Sequence, residues 1–221
     1  MNARPDRFLC AAVLMLGGFA LAQTTTPAPQ TPGATATTPQ GAQRAAVGKL
    51  TQRCSAAGGF CVQVPEAWQD MGEVFEGAGF VVAEPSRNRP KENWNNITAG
   101  AIELPEPDPG KERPELGELV DVVLGSPAEG TTMETLRRSR EVIADMPTEI
   151  VQIRLRSKTS EWMEQIALLD ADEVVYSVAL GCAPGDAARL QPLFDRVLHS
   201  WRPAPPAPAP APKPAPALPQ R

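Results

Sequence analysis

The stretch Val151-Gln152-Ile153-Arg154-Leu155-Arg156 decides the fold class of this chain. Its apolar and polar residues alternate, which is the pattern of a β-strand with one face buried and one face in solvent. Further strand patterns lie on both sides of it, and short turns rich in Asp, Pro and Glu separate them. These spacings predict an antiparallel meander made of 132–143, 151–156, 162–169 and 174–180.

Helical patterns stand before and after this meander. Apolar residues recur at helical intervals from Leu116 to Leu124 and again from Leu190 to Trp201, so we expect two amphipathic helices. Pro192 is expected near the start of the second helix, where a proline ring is tolerated. Three short strands are predicted earlier, at 60–64, 79–83 and 97–104. Two helices packed on a mainly antiparallel sheet make an α+β domain.

Composition divides the chain into four parts. Residues 1–22 have a weakly basic start, a short apolar core and the small-residue sequence Ala20-Leu21-Ala22, which together predict a secretory signal peptide cleaved after Ala22. The apolar run is too short to span a bilayer. Residues 23–47 contain almost only Thr, Pro, Gln, Ala and Gly and are expected to be disordered. Residues 48–202 are the predicted domain, which would function in the periplasm or outside the cell.

The fourth part is the Pro/Ala-rich tail, residues 203–221. Alternating Pro and Ala favour an extended polyproline II conformation. Three roles are compatible with this composition: a passive tail, a docking strip for a partner with a groove, and a spacer across the cell wall.

The order of these elements resembles the Mog1/PsbP-like family. The resemblance rests on the opening strand Gly59-Phe60-Cys61-Val62-Gln63-Val64-Pro65-Glu66-Ala67-Trp68, on the middle strand from Asn96-Ile97, and on the closing helix Phe194-Asp195-Arg196-Val197-Leu198-His199-Ser200-Trp201. It implies an α/β/α sandwich over most of residues 59–202.

The resemblance also implies a class of function. The family consists mostly of accessory, assembly and binding proteins, including photosystem extrinsic subunits and bacterial envelope proteins. It has no shared catalytic residue to place on this chain, and it implies no cofactor.

Three cysteines remain after removal of the signal peptide: Cys54, Cys61 and Cys182. Export allows a disulfide to form and persist. We favour Cys54–Cys61, because Gly58-Gly59 between them can form a tight turn. Pairing of either residue with Cys182 is the alternative. The spacing does not fit a zinc site, so no metal is predicted.

Charge narrows the range of partners. The net charge of −5 argues against non-specific binding of nucleic acid, which requires a basic surface. His199 is the only histidine; it is expected in solvent and has no nucleophile beside it in the sequence. The acidic residues between Glu103 and Glu118 lack the spacing of a calcium loop and are expected to form a solvated segment.

The candidate ligand or partner contacts are five arginines and one tryptophan: Arg137, Arg138, Arg140, Arg154, Arg156 and Trp94. If the arginines align on one face of the predicted hairpin, they form a cationic patch for carboxylates or phosphates. The alternative is cross-strand pairing with nearby glutamates, namely Glu134, Glu141, Glu149, Glu161 or Glu164. Trp94 stands in a polar loop and is expected either to close over the core or to form an exposed contact point.

These observations favour a non-catalytic accessory or interaction module of the bacterial cell envelope. Its partner would be an unidentified envelope protein, reached by the domain or by the tail. The alternative is a carrier that holds a small ligand in a pocket between the sheet and the helices. An apolar cavity of a few hundred Å³ would favour the carrier, and a fully packed core would count against it.

Overall fold

A seven-stranded antiparallel sheet is the centre of the fold. The computed structural model describes residues 48–104 and 112–205. The predicted signal peptide, the N-terminal linker, part of the acidic segment and most of the tail lie outside these residues. The strands are β1 (Leu50–Ser55), β2 (Phe60–Pro65), β3 (Gln69–Val74), β4 (Gly79–Ala83), β5 (Asn96–Glu103), β6 (Thr132–Ile143), β7 (Met146–Arg156), β8 (Glu161–Ala171), β9 (Val174–Cys182) and β10 (Arg202–Pro203). The helices are α1 (Leu116–Leu124) and α2 (Ala187–Leu198).

Strand order explains which residues share a face. The large sheet runs β3-β4-β5-β9-β8-β7-β6, and a small second sheet runs β1-β2-β10. The strands β6, β7, β8 and β9 are neighbours in both chain and space, which confirms the predicted meander. Since side chains alternate along each strand, the large sheet has two faces, each covered by a different layer.

Two apolar clusters fill the space above and below the large sheet. On one face, α1 packs over β7 and β8, with Val120 and Leu124 against Val151, Ile153 and Leu155. On the other face, α2 and the small sheet pack over a larger cluster that includes buried side chains of β2, β4, β5 and β9. The α+β class is therefore confirmed, with α1, the large sheet, and α2 plus the small sheet as three layers.

Both edge strands of the large sheet contain a β-bulge. In β3 the register with β4 shifts between Asp70 and Gly72, and in β6 the register with β7 shifts between Thr135 and Arg137. The extra residues, Met71 and Leu136, are exposed at 40% and 36% of their surface. Each bulge moves the side chains on one side of it to the opposite face of the sheet.

Three sequence predictions need correction. The strands β1 and β3 were not predicted; their exposed residues are mostly polar, so neither has a clear alternating pattern. The second helix begins at Ala187, so Pro192 lies in its interior on the exposed side and not near its start. Burial of Leu190 and Phe194 on the opposite side stabilises this helix despite the proline. Trp201 lies beyond the helix end, yet it is buried.

Candidate partner-binding surface

The bulge in β6 divides the five predicted arginines between the two faces of the β6–β7 hairpin. Before the bulge, Glu134 is paired with Arg154; after it, Arg138 is paired with Val151. The change of register places Arg138 and Arg140 on the face covered by α1 and leaves Arg137, Arg154 and Arg156 on the other face. The expectation that the arginines align as one cationic patch is therefore wrong.

On the α1 face, two arginines bind a fully buried glutamate. The side chain of Glu149 has no exposed surface. It accepts hydrogen bonds from Arg138 Nε and, at 3.0 Å, from Arg140 Nε. A buried carboxylate requires such partners, because water no longer solvates its charge. The hydrogen bond to Glu149, followed by one to Asp121, raises the pKa of Arg138 above its ordinary value.

Arg138 also joins the hairpin to α1. Its Nη1 lies 2.9 Å from Asp121 Oδ1, and its Nη2 donates to the backbone oxygen of Gly117 at 2.7 Å. A Cβ atom on Gly117 would lie 3.0 Å from Arg140 Nη2 and 3.1 Å from Arg138 Nη2. Glycine at this position therefore allows the first turn of α1 to approach both guanidinium groups.

A groove of about 280 Å³ lies beside this cluster, between the start of α1 and the end of the hairpin. Leu116, Val142 and Pro147 supply its apolar lining, and Val142 is 69% exposed. Glu115 and Glu141 line it as well. Glu115 is held in place by a capping box with Glu118 at the start of α1. The groove is thus an exposed, mainly apolar surface with two acidic residues among those that line it.

Arg140 is the one predicted contact residue that lines this groove. Its side chain is 68% exposed, and the bond to Glu149 fixes the Nε end of its guanidinium group. Its hydrocarbon stem can therefore contribute apolar surface while its charge stays compensated.

On the opposite face, the arginines are neutralised by cross-strand partners. Arg154 lies 3.4 Å from Glu134 and 3.1 Å from Glu161. Arg156 lies 3.2 Å from Glu161 and 3.9 Å from Glu134. For these two residues the structure shows the predicted alternative of cross-strand pairing. Arg137 shares this face and has no ion pair within the described residues.

Two of the glutamates named as possible partners form no ion pair with these arginines in the described part of the chain. Glu141 is exposed beside the groove. Glu164 lies opposite Ile153 on the α1 face of the sheet. Burial there raises its pKa to about 7.

Trp94 closes over the core and is not an exposed contact point. Its side chain is buried, and its Nε1 donates to the backbone oxygens of Arg89 at 3.0 Å and Ser86 at 3.1 Å. Lys91 lies 5.8 Å from the centre of the ring. The polar loop therefore folds around the tryptophan and supplies the acceptors that its indole N–H needs.

A polar network next to Trp94 was not predicted. The buried Asn95 amide nitrogen donates to Glu84 at 2.7 Å and to Asp186 at 3.0 Å. Arg189 binds both carboxylates, and Arg89 binds Asp186. Burial alone would raise the pKa of Glu84 and that of Asp186. The hydrogen bonds from these partners outweigh burial and hold both pKa values below their usual range. This network fastens the loop of Trp94 to the start of α2.

The predicted disulfide Cys54–Cys61 is confirmed. The two residues are directly opposite each other in β1 and β2. Gln52 of β1 contacts the Cys54 sulfur and accepts a hydrogen bond from Arg202 of β10, which is opposite Cys61 in the small sheet. Cys182 is free and buried, and burial raises the pKa of its thiol to about 12.

A small cavity lies between the large sheet and α2. It has a volume of about 10 Å³ and is lined by Gln152, Met163, Glu164, Gln165, Leu180, Cys182, Ala187 and Gln191. Such a volume accommodates about one water molecule. The described part of the chain contains no cluster of three or more His, Cys, Asp or Glu side chains suited to a metal ion. Within residues 48–104 and 112–205, no helix is long and apolar enough to cross a membrane.

Comparison with solved structures identifies the fold. The cyanobacterial PsbP protein (CyanoP) of Synechocystis sp. PCC 6803 is similar to this chain with a TM-score of 0.54 and 13% sequence identity. The match covers 72% of this chain and 95% of CyanoP. At this identity the similarity shows the fold alone, and the chain has a PsbP-like fold, as its opening strand and closing helix predicted.

Two further structures match with lower scores. PA94 of Pseudomonas aeruginosa, a protein of unknown function, gives a TM-score of 0.46 at 13% identity, over 72% of this chain and 99% of its own. LpqN of Mycobacterium tuberculosis, which is involved in cell envelope biogenesis, gives 0.46 at 11% identity, over 72% and 86%. No protein-family model and no curated protein sequence matches the chain.

Proposed function

We propose that this protein is an exported accessory module that acts by binding a partner protein of the cell envelope, and not by catalysis. The observation that carries the proposal is the apolar groove between α1 and the β6–β7 hairpin. It combines a strongly exposed valine, Val142, with a rigid ionic support formed by Arg140 and Glu149. A fixed apolar surface of this kind is typical of the centre of a binding interface.

Two observations support export. The first 22 residues have the composition of a signal peptide. The domain contains the Cys54–Cys61 disulfide, and disulfides persist in oxidising compartments outside the cytoplasm. The thiol of Cys182 is buried away from this bridge in the sheet strand β9, so it does not compete for pairing in the folded protein.

A small-ligand carrier is the second candidate, and it would use the same groove. The cavity between the sheet and α2 is too small for a ligand, whereas typical ligand pockets have volumes of about 300–1,000 Å³. The groove is close to the lower end of that range. Its open position at the edge of the sheet favours a protein partner, because a carrier encloses most of its ligand.

Site-specific photo-crosslinking in the native host tests the proposal. A photoreactive amino acid at position 142, in place of Val142, should form an adduct with one envelope protein, identified by mass spectrometry. The same amino acid at position 122 is the matched control, because Val122 is equally exposed, at 64%, but does not line the groove.

The adduct should disappear when Leu116 is replaced by Asp, a change that leaves position 142 untouched. Adducts of equal yield at positions 122 and 142 would contradict the proposal. So would saturable turnover of a substrate by the purified protein. Stoichiometric binding of a small molecule at the groove, seen by native mass spectrometry, would favour the carrier.

A further inference from the structure

Charge is distributed unevenly between the domain and the segment that follows it. Residues 48–205 contain 25 Asp and Glu against 16 Lys and Arg, which gives a formal charge of −9. Residues 206–221 contain no acidic residue and two basic ones, Lys213 and Arg221; the others are Pro, Ala, Leu218 and Gln220. This segment therefore combines apolar surface with positive charge, and the domain is its electrostatic complement.

The groove has the matching chemistry on the domain. Its lining is mainly apolar, and Glu115 and Glu141 are the acidic residues among those that line it. The arginines nearby do not cancel these carboxylates, because Arg138 is paired with Glu149 and Asp121, and Arg140 is paired with Glu149. An apolar segment with a few cations fits this surface better than an acidic or strongly polar segment would.

The last described residues show where the segment leaves the domain. Arg202 and Pro203 pair with β2, and the Ala204 backbone N–H donates to Gly59 O at 2.9 Å. From there, residues 206–221 in the predicted polyproline II conformation would extend about 50 Å. A domain of this size has a radius of gyration of about 15 Å, so the segment is long enough to reach the groove.

We propose that residues 206–221 occupy the groove of their own domain and cover it until an envelope partner displaces them. The inference rests on the proposed function of the groove. A tethered segment has a high effective concentration at its own domain, so weak contacts are sufficient for occupancy. A chain that already prefers polyproline II also loses little conformational entropy on docking.

Paramagnetic relaxation enhancement on the full exported chain tests this proposal. A nitroxide is attached at position 217 through the substitution Ala217→Cys; the native Cys182 thiol is buried and stays unlabelled. Signals of Val142 and Thr148 should lose intensity. Signals of Met71 should not, because it lies on the opposite edge of the seven-stranded sheet, about 29 Å away at about 4.8 Å per strand.

A tail variant supplies the matched control for charge. The double substitution Lys213→Glu and Arg221→Glu, which leaves the domain unchanged, should restore the Val142 signal. High salt should restore part of it. Uniform broadening, broadening centred elsewhere, or no broadening would overturn the proposal. Broadening that appears only between labelled and unlabelled molecules in a mixed sample would overturn it too, in favour of a second copy.

The two proposals can fail separately. If the nitroxide leaves the groove unaffected while position 142 still crosslinks to a partner, the tail inference is wrong and the groove keeps its function. If the tail broadens the groove signals but no partner crosslinks, even in a chain that ends after Pro205, the proposed function is wrong.

Discussion

Both faces of the β6–β7 hairpin carry ion pairs between arginine and glutamate, but the pairs on the two faces differ in burial. On the α1 face, Glu149 is fully buried and holds Arg138 and Arg140. On the other face, Glu134 and Glu161 hold two arginines as well, but their side chains are 55% and 39% exposed. Burial, and not the identity of the pair, decides how much each contributes. The buried cluster fixes α1 and the groove, whereas the exposed cluster is screened by water and salt.

Deleting Leu136 should have the largest effect on stability. It removes the extra residue of the β6 bulge, which moves the side chains on one side of it to the opposite face of the sheet. One half of β6 must then turn its side chains to the wrong face of the sheet. Loss of the Glu149 cluster together with misplaced apolar residues should cost more than about 5 kcal/mol, which is near the total stability of many domains. Circular dichroism and urea unfolding would measure this. Leu136→Ala keeps the bulge and should change stability by about 0.5 kcal/mol; wild-type stability of the deletion variant would show that the bulge is dispensable.

Glu149→Gln should have the next largest effect. The glutamine amide cannot neutralise the two arginines beside it, and the free energy of unfolding should fall by about 3–5 kcal/mol. The change should appear as a lower urea midpoint with an unchanged slope. A loss below about 1 kcal/mol would mean that the buried pair behaves like a surface pair.

The network of Glu84, Asp186 and Arg189 is intermediate in burial. Its contribution to the free energy of unfolding should depend on pH. Both carboxylates have pKa values lowered in the folded protein, so their stabilisation is present above their ordinary values of about 4 and is lost as the pH falls through the folded values. The substitution Arg189→Gln removes the guanidinium group that binds both carboxylates. The difference in unfolding free energy between this variant and the wild type should be largest near pH 6 and shrink toward pH 3. A difference that does not change with pH would exclude the ionised carboxylates as its cause.

Glu161→Gln, on the exposed face, should have the smallest effect. It breaks the contacts to Arg154 and Arg156, and exposed ion pairs contribute about 0.2–1 kcal/mol. The loss should disappear in 1 M salt, where charges are screened over about 3 Å. A loss as large as that of Glu149→Gln would refute the comparison between the two faces.

Most of the fold was predictable where one face of an element is buried. The hairpin strands alternate because one side lies under α1, and the two helices have complete apolar stripes. The edge strand β3 gave no such signal, since five of its six residues are exposed. The start of α2 was misplaced because a proline usually marks a first turn, whereas tertiary packing carries this helix through Pro192.

The candidate surface was predictable only in part. The sequence placed arginines on two paired strands, but a bulge leaves no clear mark in composition, so their division between the faces could not be foreseen. The only sign was that Leu136 follows Thr135 where alternation would require a polar residue. The groove depends on α1 approaching β6, and the close contact at Gly117 that allows it is a property of the tertiary structure.

The bulges in β3 and β6 also bear on aggregation. A sheet with two free edges is a template onto which further strands can add, and regular hydrogen bonding along the edge is what that addition requires. Met71 and Leu136 interrupt this regularity in the two edge strands, and charged side chains of β6 lie on both sides of the second interruption. The two interruptions therefore disfavour the addition of further strands at the open edges of the central sheet.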